Sequence, residues 1–349
     1  MAVLPPVAPG AAASVTVPAS SANLGPGFDS VGLALGVWDT YAARALDAPG
    51  VRIEVRGDAQ GVPLDERHLV NATMRRAWAE WGVTPPAGLE LTCDNAIRQG
   101  RGMGSSAAAI VGGVALAMAL CLAPDASEAG ADRVDVPADP RGGVDGHGRA
   151  GRGEATGRIP LDLDVVNDLA GRLEGHPDNA SASVYGGATL SWTDDDVAPG
   201  SVGAVRTARL MLHPDITPVV VVPEVQLPTA TARAVLPGHV PHVEAALNSA
   251  RAGLLVLALT SRPDLLRPAM REWLHQEQRR SSLGGAMEVV DALRAAGHAA
   301  AISGAGPSVL VLTVAGEAAG RPVEDLVPAG WRPLRPGVPP EGVRASVLH

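Results

Sequence analysis

The 349-residue chain contains no lysine; all 28 of its basic residues are arginine. That absence removes whole mechanisms. No amine is present to form a Schiff base, no Ser-x-x-Lys nucleophile exists, and a Walker phosphate loop lacks its lysine. Aromatic residues are nearly as scarce, 3% of the chain with a single phenylalanine, so Ala, Val and Leu fill the core that a 46% hydrophobic composition predicts. Only two cysteines occur, Cys93 and Cys121. Both lie in apolar stretches without metal-ligand spacing and read as buried thiols suited to a reducing cytoplasm. The N-terminus, MAVLPPVAPGAAAS, has no basic leader and is broken by proline, so no signal peptide is expected. No uninterrupted apolar run reaches about 18 residues, so no membrane span is expected. The net charge of −9 argues against a nucleic-acid partner.

A chain of this length predicts about two domains. Hydrophobic periodicity gives a mixed α+β pattern. Short strands are expected at 15–17, 89–93, 188–192, 208–212, 217–222, 299–303 and 309–314. Residues 37–45 and 51–56 alternate like a pair of partner strands. Helices are expected at 68–81, ended by Gly82, and at 104–122, 161–174, 243–260, 268–280 and 285–296. Residues 124–158, rich in Gly, Asp, Arg, Ala and Pro, read as a solvated, disordered insertion. The turn-rich stretch 194–201 reads as a domain boundary, giving domains at 12–195 and 205–345.

One stretch carries chemistry by its placement. GRGMGSSAAA, Gly100 to Ala109, lies between a strand and a helix. A helix N-terminus exposes unpaired backbone amides and a partial positive charge. Glycines let the backbone approach an anion and serine hydroxyls add donors, so a nucleotide phosphate fits. Ser105 or Ser106 also suits Mg²⁺, which prefers oxygen ligands. A run of small residues equally suits a tightly packed helix seam.

Two further stretches form an ordered triplet with it: PASSANLGPGFDSVGLAL from Pro18 and SGAGPSVLVL from Ser303. Together they resemble the superfamily named for galactokinase, homoserine kinase, mevalonate kinase and phosphomevalonate kinase. The middle motif departs from that pattern by Arg98 for a usual proline and Met103 for a usual leucine. The finer resemblance is to the homoserine kinase family, carried by ASSANLGPGFDSVGLAL, by LEGHPDN at 173–179, by LPTATARAVLP at 227–237 and by LHQEQR at 274–279.

The resemblance implies a two-domain α+β fold, with a left-handed β-α-β unit in the ATP-binding N-terminal domain and a ferredoxin-like C-terminal domain. It implies ATP and Mg²⁺ as cofactors, L-homoserine as a small-molecule substrate and a cytoplasmic enzyme, and it leaves a homodimer open. ATP contacts are implied at Arg98, Gln99, Gly100, Arg101, Gly102, Met103, Gly104, Ser105, Ser106, Ala107 and Ala108. Substrate contacts are implied at Asn23, Asp29, His176, Arg233 and Arg279. Arginine suits the substrate carboxylate because its planar fork donates twice to one carboxylate. Counting through HPDN puts Asn179 where mevalonate-type relatives carry an aspartate base, so the resemblance implies no classical base, and direct in-line attack is expected. The metal carboxylate is implied at Asp168, with Glu174 the alternative and Ser106 the hydroxyl ligand. Rival readings are another small-molecule kinase of the superfamily, or a non-catalytic sensor on its fold.

Overall fold

The computed structural model describes residues 4–124, 155–195, 203–227, 229–316 and 321–348. Most of the expected insertion, residues 125–154, lies outside them. The first sheet contains β1 (Ala12–Ala22), β2 (Val31–Leu46), β3 (Gly50–Gly57), β4 (Gly88–Asn95), β5 (Ala155–Ile159), β6 (Ala188–Thr193), β7 (Val205–Leu210) and, from the far end of the chain, β12 (Arg344–Leu348). Its order is β3-β4-β2-β1-β12-β5, with β6 pairing the start of β2 and β7 pairing β6. The second sheet runs β11 (Trp331–Leu334), β8 (Ile216–Pro223), β10 (Val309–Val314), β9 (Ala299–Ile302), all antiparallel. Within that sheet the chain order is 4-1-3-2, as in a ferredoxin-like sheet.

The helices are α1 (Leu69–Trp81), α2 (Ser105–Leu122), α3 (Leu163–Glu174), α4 (Pro177–Tyr185), α5 (Thr229–Ala234), α6 (His242–Thr260), α7 (Leu266–Ala269) and α8 (Ala286–Ala295). Gly82, with φ +67°, ends α1 in the left-handed conformation that glycine tolerates best. Strand β3, helix α1 and strand β4 form the β-α-β unit, whose two strands are parallel neighbours.

Helix α2 is apolar around nearly its whole circumference because it packs against β1, α1, α3 and α4 at once. Each of its fully buried aliphatic side chains, such as Leu116, contributes roughly 1.5–3 kcal/mol. Gly112 faces the Tyr41 ring and Gly113 faces Val70 and Thr73, so here small residues do serve close packing. Helices α2 and α6 are each long and apolar enough to cross a bilayer by length and composition. The fold buries most of helix α2.

Four expectations are corrected. The strands at 37–45 and 51–56 are not partners: β4 lies between β2 and β3, because the α1 crossover returns the chain into that slot. The stretch 194–201 joins β6 to its antiparallel neighbour β7, so β7 belongs to the first sheet and not to the second domain; residues 196–202 lie outside the described residues. The strand expected at 208–212 spans 205–210. No helix fills 268–280. After α7 the chain takes irregular turns, because Glu272 accepts hydrogen bonds from the amides of Leu274, His275 and Gln276 at 2.6, 2.8 and 2.9 Å. A side chain that satisfies three amides competes with a helical ladder. Helix α4 was not expected from periodicity. Pro177 at its first turn and Asp178 beside it start it.

Candidate active site

Two cavities meet at the N-terminus of α2. One, of about 110 Å³, is lined by Asn23, the Gly100–Ser106 loop, Glu174, His176, Asn179, Arg233, Arg279 and Gly304. The other, of about 310 Å³, shares Gly100, Ser105 and Ser106 and continues between Val62, Pro63, His68, Asn95 and Ile97. The first turn of α2 carries no side-chain cap, and its first residues, Ser105 and Ser106, line the shared mouth. Gly102 and Gly104 have φ of +72° and +69°, and a Cβ would strike the Ser303 carbonyl at the first and Ser20 Oγ at the second. Only glycine lets the loop pass so close to both neighbours.

Opposite that turn stand two arginines. Arg279 is 1% exposed, and none of its three guanidinium nitrogens has a hydrogen-bond partner. Burial above all, and then the nearby Arg233 charge, lowers its pKa. Arg233 forms a two-bond pair with Asp29, Nη1 lying 3.2 Å from Oδ2 and Nη2 bonded to Oδ1. Both guanidinium groups lie over the ring of Phe28, at 5.4 Å for Arg279 and 5.5 Å for Arg233. The other neighbour of that ring is His275, stacked at 5.1 Å, whose Nε2 lies 2.8 Å from the Gly25 carbonyl.

Asn23 and Asp29 sit at positive φ, +55° and +53°. The strain is held by bonds. Asn23 Oδ1 accepts from the Asp29 amide at 2.8 Å, Asn23 Nδ2 donates to the Gly304 carbonyl at 3.1 Å, and the Asn23 amide donates to Asp178 at 3.2 Å. Both ends of the Asn23 amide are therefore engaged in bracing the turn. Asn179 Oδ1 accepts from Ser20 Oγ at 3.0 Å, beside Gly104. His176 is kept below its usual pKa mainly by burial, and the charge of Arg233 adds to this.

Not every expected residue comes to the site. Asp168 does not line either cavity: its carboxylate accepts from the Val205 amide at 2.8 Å and from Arg172 Nε at 3.2 Å. Those bonds turn it away, and Glu174 takes the place beside the loop, accepting from Ser106 Oγ at 3.0 Å. Arg101 turns its guanidinium to the carbonyls of Gln99, Pro223 and Glu224. Gln99 bonds Asp58 through its amide and side chain, although it also lines the larger cavity. Arg98 lies in a separate surface hollow with Asp58 and Glu224. Met103, Ala107 and Ala108 are buried, so only their backbones can act, and the Ala108 amide is already bonded to the Gly104 carbonyl.

Residues 68–133 match the GHMP kinases N terminal domain and residues 254–327 match the GHMP kinases C terminal domain. The chain is 42% identical over 339 residues to the homoserine kinase of Streptomyces avermitilis, covering 97% of this chain and 96% of that one. It is 41% identical to the homoserine kinase of Streptomyces coelicolor, covering 97% and 95%. The chain belongs to the homoserine kinase family of the GHMP kinases. The crystal structure of homoserine kinase from Cytophaga hutchinsonii has the same fold, with a TM-score of 0.70 at 24% identity over 97% of this chain and 95% of that one. Membership in the family makes this a phosphotransferase that takes its phosphoryl group from ATP and passes it to an alcohol.

Several residues escape motif reading. Asp178 is 1% exposed, and burial raises it to about 7 while it accepts from the amides of Asn23 and Asn179. It lies inside the quoted HPDN motif and reads there only as part of a turn. Ser20 and Phe28 lie inside the first motif. Phe28, as the chain's only phenylalanine, carried the one signal that composition offers.

Proposed function

We propose that the chain transfers the γ-phosphoryl group of ATP to the side-chain hydroxyl of L-homoserine, giving O-phospho-L-homoserine on the route to threonine. One observation carries the substrate: Arg279, buried with three unpartnered nitrogens on the wall of the cavity that also holds the α2 N-terminus. A buried guanidinium without a partner is costly, and a carboxylate offers it two parallel charge-assisted bonds. Asp29 keeps its bonds to Arg233 and has lone pairs left for the substrate ammonium. Arg279 and the Arg233–Asp29 pair together carry one net positive charge. That suits the carboxylate, while Asp29 meets the amine.

The triphosphate lies along Gly100–Ser106, bound by the α2 leading amides, and adenosine extends into the larger cavity past Val62, Pro63, His68 and Asn95. Asn95 lines that space. Asn71 is buried and bonds the Glu66 carbonyl. Mg²⁺ fits Ser106 and Glu174, a hydroxyl and a carboxylate joined at the phosphate loop. Such a pair suits a cation whose remaining ligands are phosphate oxygens and water. When bound, it neutralises charge on the β- and γ-phosphates. Among the described residues no closed cluster of acidic, histidine or cysteine side chains could hold a metal by itself.

Asn179 orients the acceptor hydroxyl for in-line attack, held by Ser20. An amide cannot take the proton usefully, so the proton passes to a γ-phosphate oxygen. Rate enhancement then comes from positioning and from fixed positive charge at the loop. We place this activity in the cytoplasm. The deciding experiment is a coupled assay of ADP release with and without L-homoserine. Release that ignores homoserine, or that runs faster on mevalonate or a sugar, rejects the reading.

A further inference from the structure

We propose that Arg101 is a positioning residue that makes nucleotide binding and homoserine binding reinforce each other. The inference rests on the two ligand sites assigned above. Arg101 belongs to the phosphate loop, yet its side chain leaves that loop. Nη2 donates to the Glu224 carbonyl at 2.9 Å, Nε to the Pro223 carbonyl at 3.3 Å and Nη1 to the Gln99 carbonyl at 3.0 Å. Pro223 ends β8, so the guanidinium ties the loop to the second sheet.

The backbone makes the same crossing. Three consecutive loop carbonyls accept from the second domain: Gly100 from the Leu227 amide at 2.7 Å, Arg101 from the Ser308 amide at 3.3 Å and Gly102 from Ser303 Oγ at 2.6 Å. Two of these donors adjoin a substrate element. Leu227 opens the segment that leads to Arg233. Ser303 precedes Gly304, which lines the smaller cavity and accepts from Asn23. A phosphate that fixes the loop therefore fixes Gly304, the partner of Asn23, and with it the Asn23–Asp29 turn that pairs with Arg233. The guanidinium uses one donor from each of its three nitrogens on these carbonyls, and a lysine ammonium, a single nitrogen on a flexible stem, does not hold that frame. Linkage then requires that each ligand raise the affinity for the other by one common factor.

The test uses dead-end ligands. L-Homoserine is titrated calorimetrically with and without saturating ADP and Mg²⁺, and ADP with and without homoserine. In the wild type each ligand is expected to tighten the other by at least about fivefold, by the same factor in both directions. In Arg101→Ala both ligands still bind, but that factor is expected to fall below about twofold, with Arg101→Lys between the two. A residue that merely stabilises the loop would lower single affinities and leave the factor intact. The inference is overturned if Arg101→Ala keeps the wild-type factor, or if the wild type binds both ligands independently. A wild type that binds no homoserine rejects the substrate reading itself, a separate outcome. If circular dichroism shows that Arg101→Ala does not fold, Arg101→Lys and Arg101→Gln decide: an unreduced factor in both overturns the inference.

Discussion

Ser106 donates its hydroxyl hydrogen to Glu174 across 3.0 Å, joining the first turn of α2 to the last residue of α3. Burial raises the Glu174 pKa from 4.5 to about 7, against the lowering pull of that serine bond. Near neutral pH the carboxyl is thus poised between a protonated form and the anion that a cation selects.

Glu174→Gln should lower kcat by roughly 10²–10³-fold, the loss typical of one preorganised electrostatic group. The pH effect on stability has a fixed sign. A carboxyl raised in the folded state favours folding below its unfolded pKa, and this contribution is lost as pH rises through about 7. Calorimetry of the ligand-free enzyme between pH 5 and 8 should therefore show Glu174→Gln losing less Tm toward pH 8 than the wild type. Asp178, also raised to about 7 by burial, leaves a residual slope of the same sign. Unchanged turnover in the variant would remove Glu174 from the site.

Arg279→Leu should raise the KM for homoserine by roughly 10–100-fold, the range of a charge-assisted bond, and leave the KM for ATP nearly unchanged. It should also raise the Tm of the ligand-free protein, because it removes a buried cation without a partner. A variant that loses stability and keeps its homoserine KM contradicts the assignment.

Gly104→Ala places a methyl group on Ser20 Oγ at a backbone φ of +69°. We expect kcat/KM for ATP to fall at least about tenfold, since left-handed strain alone costs about 1–2 kcal/mol. Gly82→Ala has a similar φ of +67° but open space around it. It should cost stability and spare activity. Steady-state kinetics and thermal melts of the two variants separate strain from collision.

Asn179→Ala removes the partner of Ser20 and should lower kcat by roughly 10²-fold through lost positioning. The shape of the pH–rate profile should stay as in the wild type. A steep new pH dependence in the variant would reveal a base that the in-line mechanism lacks.

Much of this site was legible in the sequence because local rules place it. The strand, glycine loop and helix around Gly104 are contiguous, and Gly82 marks the end of α1 by its conformation. Asp168 misled because spacing along a helix does not say which acid faces the loop. The Val205 amide, from a distant strand, captured it. Residues 268–280 misled because their apolar pattern is helical while Glu272 satisfies the amides locally. Arg101 reads as a phosphate ligand beside a glycine, and only the neighbouring sheet shows where its fork goes. For Asp168 and Arg101 a long-range partner overruled the local pattern, whereas at 268–280 one local interaction overruled another.

Strand β12 sits between β1 and β5, in the interior of the first sheet, though it comes from residues 344–348. During synthesis the amino-terminal half must therefore wait, with the β1 edge at Ala13–Thr16 bare, until the carboxy-terminal half has emerged. An open strand edge is a template for wrong partners. The two halves thus do not mature one after the other on the ribosome. The vulnerable species is a nascent chain whose residues 344–348 have not yet reached β1.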